Sequence, residues 1–224
     1  MYTPPSVVSN VVLFQYSDGN LFITLIADPS PNSQWHLPGT AVSRTQTSLS
    51  SLDHTLHNAI GLDNADITYR EQLYTSEFAV GSHSTVCISY LYLSRDIRWR
   101  KSTQQIGVFS IDKLPSLSES DMSIIRYASA RLHAKALYST ILSFLLPRVF
   151  DLAQLQQAFE TITGQTVDKR NFRKKITQLD VLKPMTKDTV KKDPVLYSFK
   201  NSGLDFLSKP FPPKKTVSRQ ARKA

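Results

Sequence analysis

The chain has 224 residues, 41% of them hydrophobic, enough for one large domain or two small ones. Its single cysteine, Cys87, excludes an intramolecular disulfide framework and any Cys-based zinc site, and fits a reducing compartment. Without a charged n-region at Met1 or any apolar run near 18 residues, neither a signal peptide nor a membrane span is expected, and the expected location is the cytoplasm.

The formal net charge of +9 is divided unevenly. Residues 1–112 carry 6 Lys/Arg and 9 Asp/Glu, whereas residues 113–224 carry 21 and 9. An acidic first half followed by a strongly basic second half is the asymmetry expected if the second half meets nucleic acid or a membrane surface.

In chain order, Val7, Val11–Phe14 and Leu21–Ile26 are β-rich runs, and Ser17-Asp18-Gly19-Asn20 between them is a hairpin signal. Leu37-Pro38-Gly39 breaks the chain. Thr47–Ile60 then reads as a helix with Leu49, Leu52, Leu56 and Ile60 on one face and Gly61 as its C-cap. Strands are predicted over Ile67–Tyr74, Val86–Leu93 and Ile106–Ile111. One helix embedded among strands points to an α+β fold.

Residues 113–120 are a Pro/Ser-rich connector. Asp121–Leu146 reads as one long helix whose broad apolar coverage suits two neighbours, such as both domains or a second subunit; Pro147 ends it. Asp151–Thr163 is a short helix with Asp151 as N-cap and Leu152, Leu155, Phe159 and Ile162 on one face. Gly164–Val167 turns the chain into a basic helix N-capped by Asp168. In it Phe172, Ile176 and Leu179 form an apolar stripe, and Lys169, Arg170, Arg173, Lys174 and Gln178 lie largely off that stripe. Helix, Gly-containing turn and cationic second helix make a helix-turn-helix pattern. Two strand candidates, Val181–Met185 and Val195–Phe199, flank a lysine-rich tip (Lys187, Lys191, Lys192) and read as a wing. Residues 209–224 read as a disordered basic tail.

This order of parts resembles a known family. The run Leu145-Leu-Pro-Arg-Val-Phe-Asp-Leu152, with Phe159-Glu160, Gly164 and Asp168-Lys-Arg-Asn-Phe-Arg-Lys-Lys-Ile176, is similar to the C-terminal domain of Nudix-related transcriptional regulators, the NrtR-like family. The resemblance implies an N-terminal Nudix-like α/β/α sandwich (1–115), a linker and long helix (116–146), a winged helix-turn-helix (147–208) and the tail. It also implies a homodimer on palindromic double-stranded DNA, controlled by a small effector of nucleotide or sugar type.

A Nudix box, G-x5-E-x7-R-E-U-x-E-E-x-G-U with U apolar, supplies glutamates that hold divalent cations, since hard oxygen ligands suit Mg²⁺. Trp35-His36-Leu37-Pro38-Gly39-Thr40 resembles the entry to the box and Gly61-Leu62 its exit. Aligned on Gly61, Thr40 stands at the first glycine and Gln46 at the first glutamate. His54-Thr55 stand at the Arg-Glu pair and Asn58-Ala59 at the paired glutamates. Asp53 is the sole acid between Thr40 and Leu62. No catalytic residue, metal ligand or cofactor is therefore assigned.

Other motifs carry little. His54 and His57 lack a third ligand, His83 and His133 stand alone, and no G-x-S-x-G or glycine-rich phosphate loop is present. Arg95–Lys101 (RDIRWRK) is a second basic cluster, read as a loop rim that could meet an anionic effector or DNA backbone. The expected DNA-reading residues are Arg170 and Arg173 on guanine O6/N7 and Asn171 on adenine or phosphate. Lys169, Lys174 and the wing lysines 187, 191 and 192 are expected on phosphates. Trp35 and Arg44 are the candidate effector contacts. The alternatives are a nucleotide-acting enzyme with a repurposed Nudix scaffold and a non-specific architectural DNA binder.

Overall fold

The structure is a computed structural model that describes residues 6–28, 30, 33–43, 45–80, 83–97, 104–185 and 195–211. Strands β1 (Ser6–Ser17) and β2 (Asn20–Ala27) pair in register, with Ser17 opposite Asn20. The turn between them is left-handed at both central residues, φ 48° at Asp18 and 78° at Gly19, the geometry that Asp-Gly turns favour because it matches strand twist. Strands β4 (Tyr69–Val80), β5 (His83–Ser94), β1, β2 and β6 (Gln105–Ser110) lie in that order, and β3 (Gly39–Ala41) pairs antiparallel with β1. The β1–β5 pair is parallel and the other pairs are antiparallel. The short β3 was not expected; Gly39 lies so close to Ser9 O that a Cβ there would sit 2.8 Å away.

Strand alternation divides the sheet's two faces. Val11 and Leu13 pack with Leu52, Leu56 and Ile60 of helix α1 (Ser48–Ile60), while Val12 and Phe14 pack with Ile124, Ile125, Ala128 and Leu132 of helix α2 (Glu119–Tyr138). The result is the expected α/β/α sandwich. Leu49, placed by periodicity on the buried face of α1, is instead 37% exposed. Thr47 caps α1 and Gly61 closes it at φ 69°.

Helix α2 is shorter than the expected 121–146. It stops at Tyr138, and Ser139 is extended (φ −145°, ψ 172°). Ser139 Oγ donates to Lys135 O at 2.7 Å, the kind of side-chain competition that ends helices. Chain segment 205–211 then takes up backbone groups at this end: Asp205 O accepts from Thr140 N, Leu207 N donates to Tyr138 O and Phe211 N to Leu137 O. A single 3₁₀ turn (Ile141–Phe144) continues the chain to Pro147.

Beyond it lie β7 (Phe150–Asp151), α3 (Leu152–Thr163), α4 (Lys169–Leu179), β8 (Leu182–Pro184) and β9 (Leu196–Phe199), the strands forming an antiparallel sheet in the order β7-β9-β8. This is a winged helix. Its core is continuous with the α2 side of the sandwich, since Phe159, Phe172 and Phe211 belong to the same buried cluster as Phe14, Ile23 and Leu132. Phe211 corrects the expected tail boundary. It is 8% exposed and packs on Phe159 and Phe172, with centroids 4.6 and 5.6 Å away. Burying such a ring stabilises the fold by about 2 kcal/mol. Residues 212–224 lie outside the described residues.

Candidate nucleic-acid interface and former metal site

Helix α3 begins with a capping box: Asp151 Oδ1 accepts from Ala153 N and Gln154 N, and Gln154 Oε1 accepts from Asp151 N. Gly164 ends it at φ 62°. The connecting turn is held by Glu160, whose Oε1 accepts from Val167 N at 2.8 Å and from Gln156 Nε2 at 3.1 Å. Asp168 then caps α4 by accepting from Asn171 N at 2.9 Å. These local bonds fix the angle at which α4 leaves the turn.

Phe172 and Ile176 bury one face of α4. Arg170, Lys174 and Thr177 occupy the opposite, exposed arc. Lys169 and Arg173 are turned toward the wing, where they line a hollow of about 410 Å³ with Val195 and Tyr197. Asn171 and Gln178 flank the other side, against Phe211. Lys169, Arg170, Arg173 and Lys174 are exposed, and among the described residues none is ion-paired. The structure therefore separates the expected readers. Arg170 points straight outward, Arg173 and Lys169 sit beside the wing, and Asn171 borders the Phe211 hollow. Thr177, on the outward arc with Oγ1 bonded back to Arg173 O, went unnoticed in sequence because a helical threonine carries no pattern of its own. Lys187, Lys191 and Lys192 lie outside the described residues.

The positions aligned with the Nudix box make other contacts. Gln46 accepts from Ser51 Oγ at 3.1 Å, and Asn58 Nδ2 lies 3.0 Å from the His54 ring. Asp53 accepts from Tyr92 OH at 2.8 Å and lies 3.6 Å from the Arg70 guanidinium, which covers the Tyr92 ring. Burial first, and then the bond to Asp53 and its charge, push the Tyr92 hydroxyl well above its ordinary range. No group of three or more His, Cys, Asp or Glu among the described residues could hold a metal ion. These residues do not fit Mg²⁺.

Trp35 is half-buried and meets Phe109 edge-on at 5.0 Å, lying over Gly107 where any Cβ would collide with it. That placement makes it part of the β6 packing. Arg44 lies outside the described residues, as do Arg98, Trp99, Arg100 and Lys101 of the second basic cluster.

The sequence profile of the NrtR DNA-binding winged helix domain matches residues 142–199. Over 219 residues the chain is 25% identical to the ADPR responsive transcriptional repressor NtrR of Acinetobacter baylyi, a match spanning 92% of this chain and 86% of that protein. Its fold is similar to that of Shewanella oneidensis NrtR complexed with a 27mer DNA (TM-score 0.68, 24% identity, 92% of this chain and 97% of the other). It is also similar to a MutT/nudix family protein from Enterococcus faecalis (TM-score 0.68, 18% identity, 89% and 90%). By its sandwich, its winged helix and these likenesses, the chain resembles the Nudix-related, NrtR-like regulators, and residues 142–199 match the winged helix domain of that family.

Proposed function

We propose that the protein is a dimeric, sequence-specific DNA-binding regulator of transcription whose Nudix-like sandwich senses a small effector without hydrolysing it. The observation that carries this reading is the unpaired cationic arc of α4, capped by Asp168 and seated on a core continuous with the sandwich. Arg170 reads base edges at the centre of the arc, because a guanidinium matches guanine O6/N7 with two bonds. Arg173 and Lys169, beside the wing, meet the groove edge and its phosphates, and Lys174 neutralises phosphate. Asn171 contacts an adenine or a phosphate at the flank, and the wing lysines 187, 191 and 192 contact phosphates. Two copies reading inverted half-sites account for a palindromic operator.

Hydrolysis is set aside because the positions of the box glutamates hold Gln46, Thr55, Asn58 and Ala59. The Acinetobacter relative is named as ADPR responsive, which supports an effector of the ADP-ribose class here. Titrating ADP-ribose into a complex of the chain with its preferred duplex tests this. Release of the DNA with ADP-ribose recovered intact supports the reading; unchanged affinity at saturating ADP-ribose rejects its effector half.

A further inference from the structure

One hollow of the described structure lies away from the degenerate box. It is a cleft of about 640 Å³ between the sandwich and the winged helix. One wall comes from Ala65, Ile67, Thr68 and Arg95, the floor from Ser143 and Phe144, and the other wall from residues 147–149 and the β8–β9 sheet. Arg95, Arg148, Lys183 and Lys200 line it, and no carboxylate does. Lys200 is paired with Asp180 at 2.6 Å. Arg95 and Arg148 are unpaired among the described residues, and so is Lys183. Asp63, Asp66 and Asp96 lie in a neighbouring hollow that shares both arginines.

Two further features point to a ligand. Arg95 is pinned rather than free: its guanidinium donates to Ser143 O, 3.1 Å from Nε. Burial first, and then the nearby charge of Arg148, lower its hold on its proton. Finally, Val149 and Met185 stand on the cleft walls with 40% and 49% of their surface exposed, although large apolar side chains gain by being covered.

We infer that this cleft binds a small organophosphate, its phosphate groups held by Arg95, Arg148 and Lys183, its less polar part covering Val149 and Met185. The volume suits such a molecule, since ligand sites run from about 300 to 1,000 Å³. The binding claim stands on the cleft alone. Its regulatory meaning rests on the proposed function: a ligand gripping both walls favours one angle between sandwich and wing, and so one spacing of the recognition helices.

The test uses the full chain and two probes, inorganic pyrophosphate and ADP, followed by titration calorimetry. Both are expected to bind. Arg148→Ser with Lys183→Ser, two exposed positions, is expected to weaken both probes at least tenfold while the circular dichroism spectrum is kept. Met185→Ser is expected to weaken ADP and spare pyrophosphate. Lys113→Ser with Lys209→Ser, an equal charge loss at two exposed positions outside the cleft and α4, is expected to leave both unchanged. The inference is overturned by an unbound wild type, by full binding in the R148S/K183S chain, or by equal losses in the two double variants. It is also overturned if R148S/K183S lowers affinity for every duplex alike with no effect on the probes, which would make the cleft a DNA-backbone contact. A wild type that binds pyrophosphate but prefers no duplex keeps this site and removes the proposed function.

Discussion

The hydroxyl of Thr161 donates to the carbonyl oxygen of Gly19 at 2.9 Å, joining α3 to the tip of the β1–β2 hairpin. The amide of Gln157 lies against the same glycine. The helix-turn-helix is therefore not suspended from its linker; it leans on a left-handed turn of the sandwich.

Gly19→Ala places a methyl group in a left-handed residue and drives it into Gln157. The conformation alone costs about 1–2 kcal/mol. Thr161→Val, which removes one donor, costs about 1 kcal/mol. Urea denaturation is expected to rank wild type above T161V and T161V above G19A. A G19A chain as stable as wild type would show that the hairpin does not bear on α3.

On DNA, Arg170→Ala is expected to cost about 1–3 kcal/mol on the preferred duplex and to relax preference at one base position. Lys174→Ala should weaken all duplexes alike and reduce the salt slope by about 1. Fluorescence anisotropy across a salt series separates the two effects. Equal losses for R170A on preferred and random duplex would remove Arg170 from base reading.

The joint between β4 and α2 is electrostatic. Glu71 lies 3.3 Å from the buried Lys135 ammonium, accepts from Arg131 Nε at 2.9 Å and from Tyr69 OH at 2.9 Å. Burial pushes its carboxyl up, but the bonds from Arg131 and Tyr69, with the charges of Lys135 and Arg131, outweigh it and hold the carboxyl below the usual carboxylate range. A depressed carboxylate contributes stability above its unfolded pKa, and that stability is lost as pH falls through the folded value. Glu71→Ala leaves Lys135 buried and uncompensated, at a cost of about 3–5 kcal/mol near neutrality. In thermal melts the wild-type advantage over E71A should shrink on acidification below the carboxylate range. A constant difference across pH would contradict the assignment.

Metal removal should change nothing. With amide, hydroxyl and methyl side chains at the box-glutamate positions, the chain is expected to release no AMP from ADP-ribose with Mg²⁺, and chelator should leave DNA affinity intact. Mg²⁺-dependent turnover above a buffer blank would restore the enzyme alternative.

Features decided within a few residues were legible in the sequence. The Asp18-Gly19 turn, the caps at Asp151 and Asp168, and the Gly61 and Gly164 stops depend on their own side chains or backbone freedom. So were β8 and β9, bounded as strands on either side of a lysine-rich connection. The early end of α2 was not, because the groups that take over its backbone come from Asp205, Leu207 and Phe211, far along the chain. Nor was the placement of Phe211, a single aromatic among prolines and lysines whose burial depends on Phe159 and Phe172. The cationic cleft was invisible for the same reason: Arg95, Arg148 and Lys183 come from three separate segments, and only the fold gathers them. Within α4 the periodicity separated buried from exposed residues. It did not show that Arg173 faces the wing while Asn171 faces Phe211, which depends on what flanks the helix.

The central claim is that α4 reads sequence as part of a symmetric pair. Its most direct test is selection from a randomised duplex pool with the purified chain at about 0.15 M salt, near physiological ionic strength. The account predicts enrichment of an inverted repeat with half-sites about one helical turn, or a multiple of it, apart, and its loss with R170A. A pool that stays random while the protein still retains DNA would contradict it and leave a basic, non-specific binder in its place.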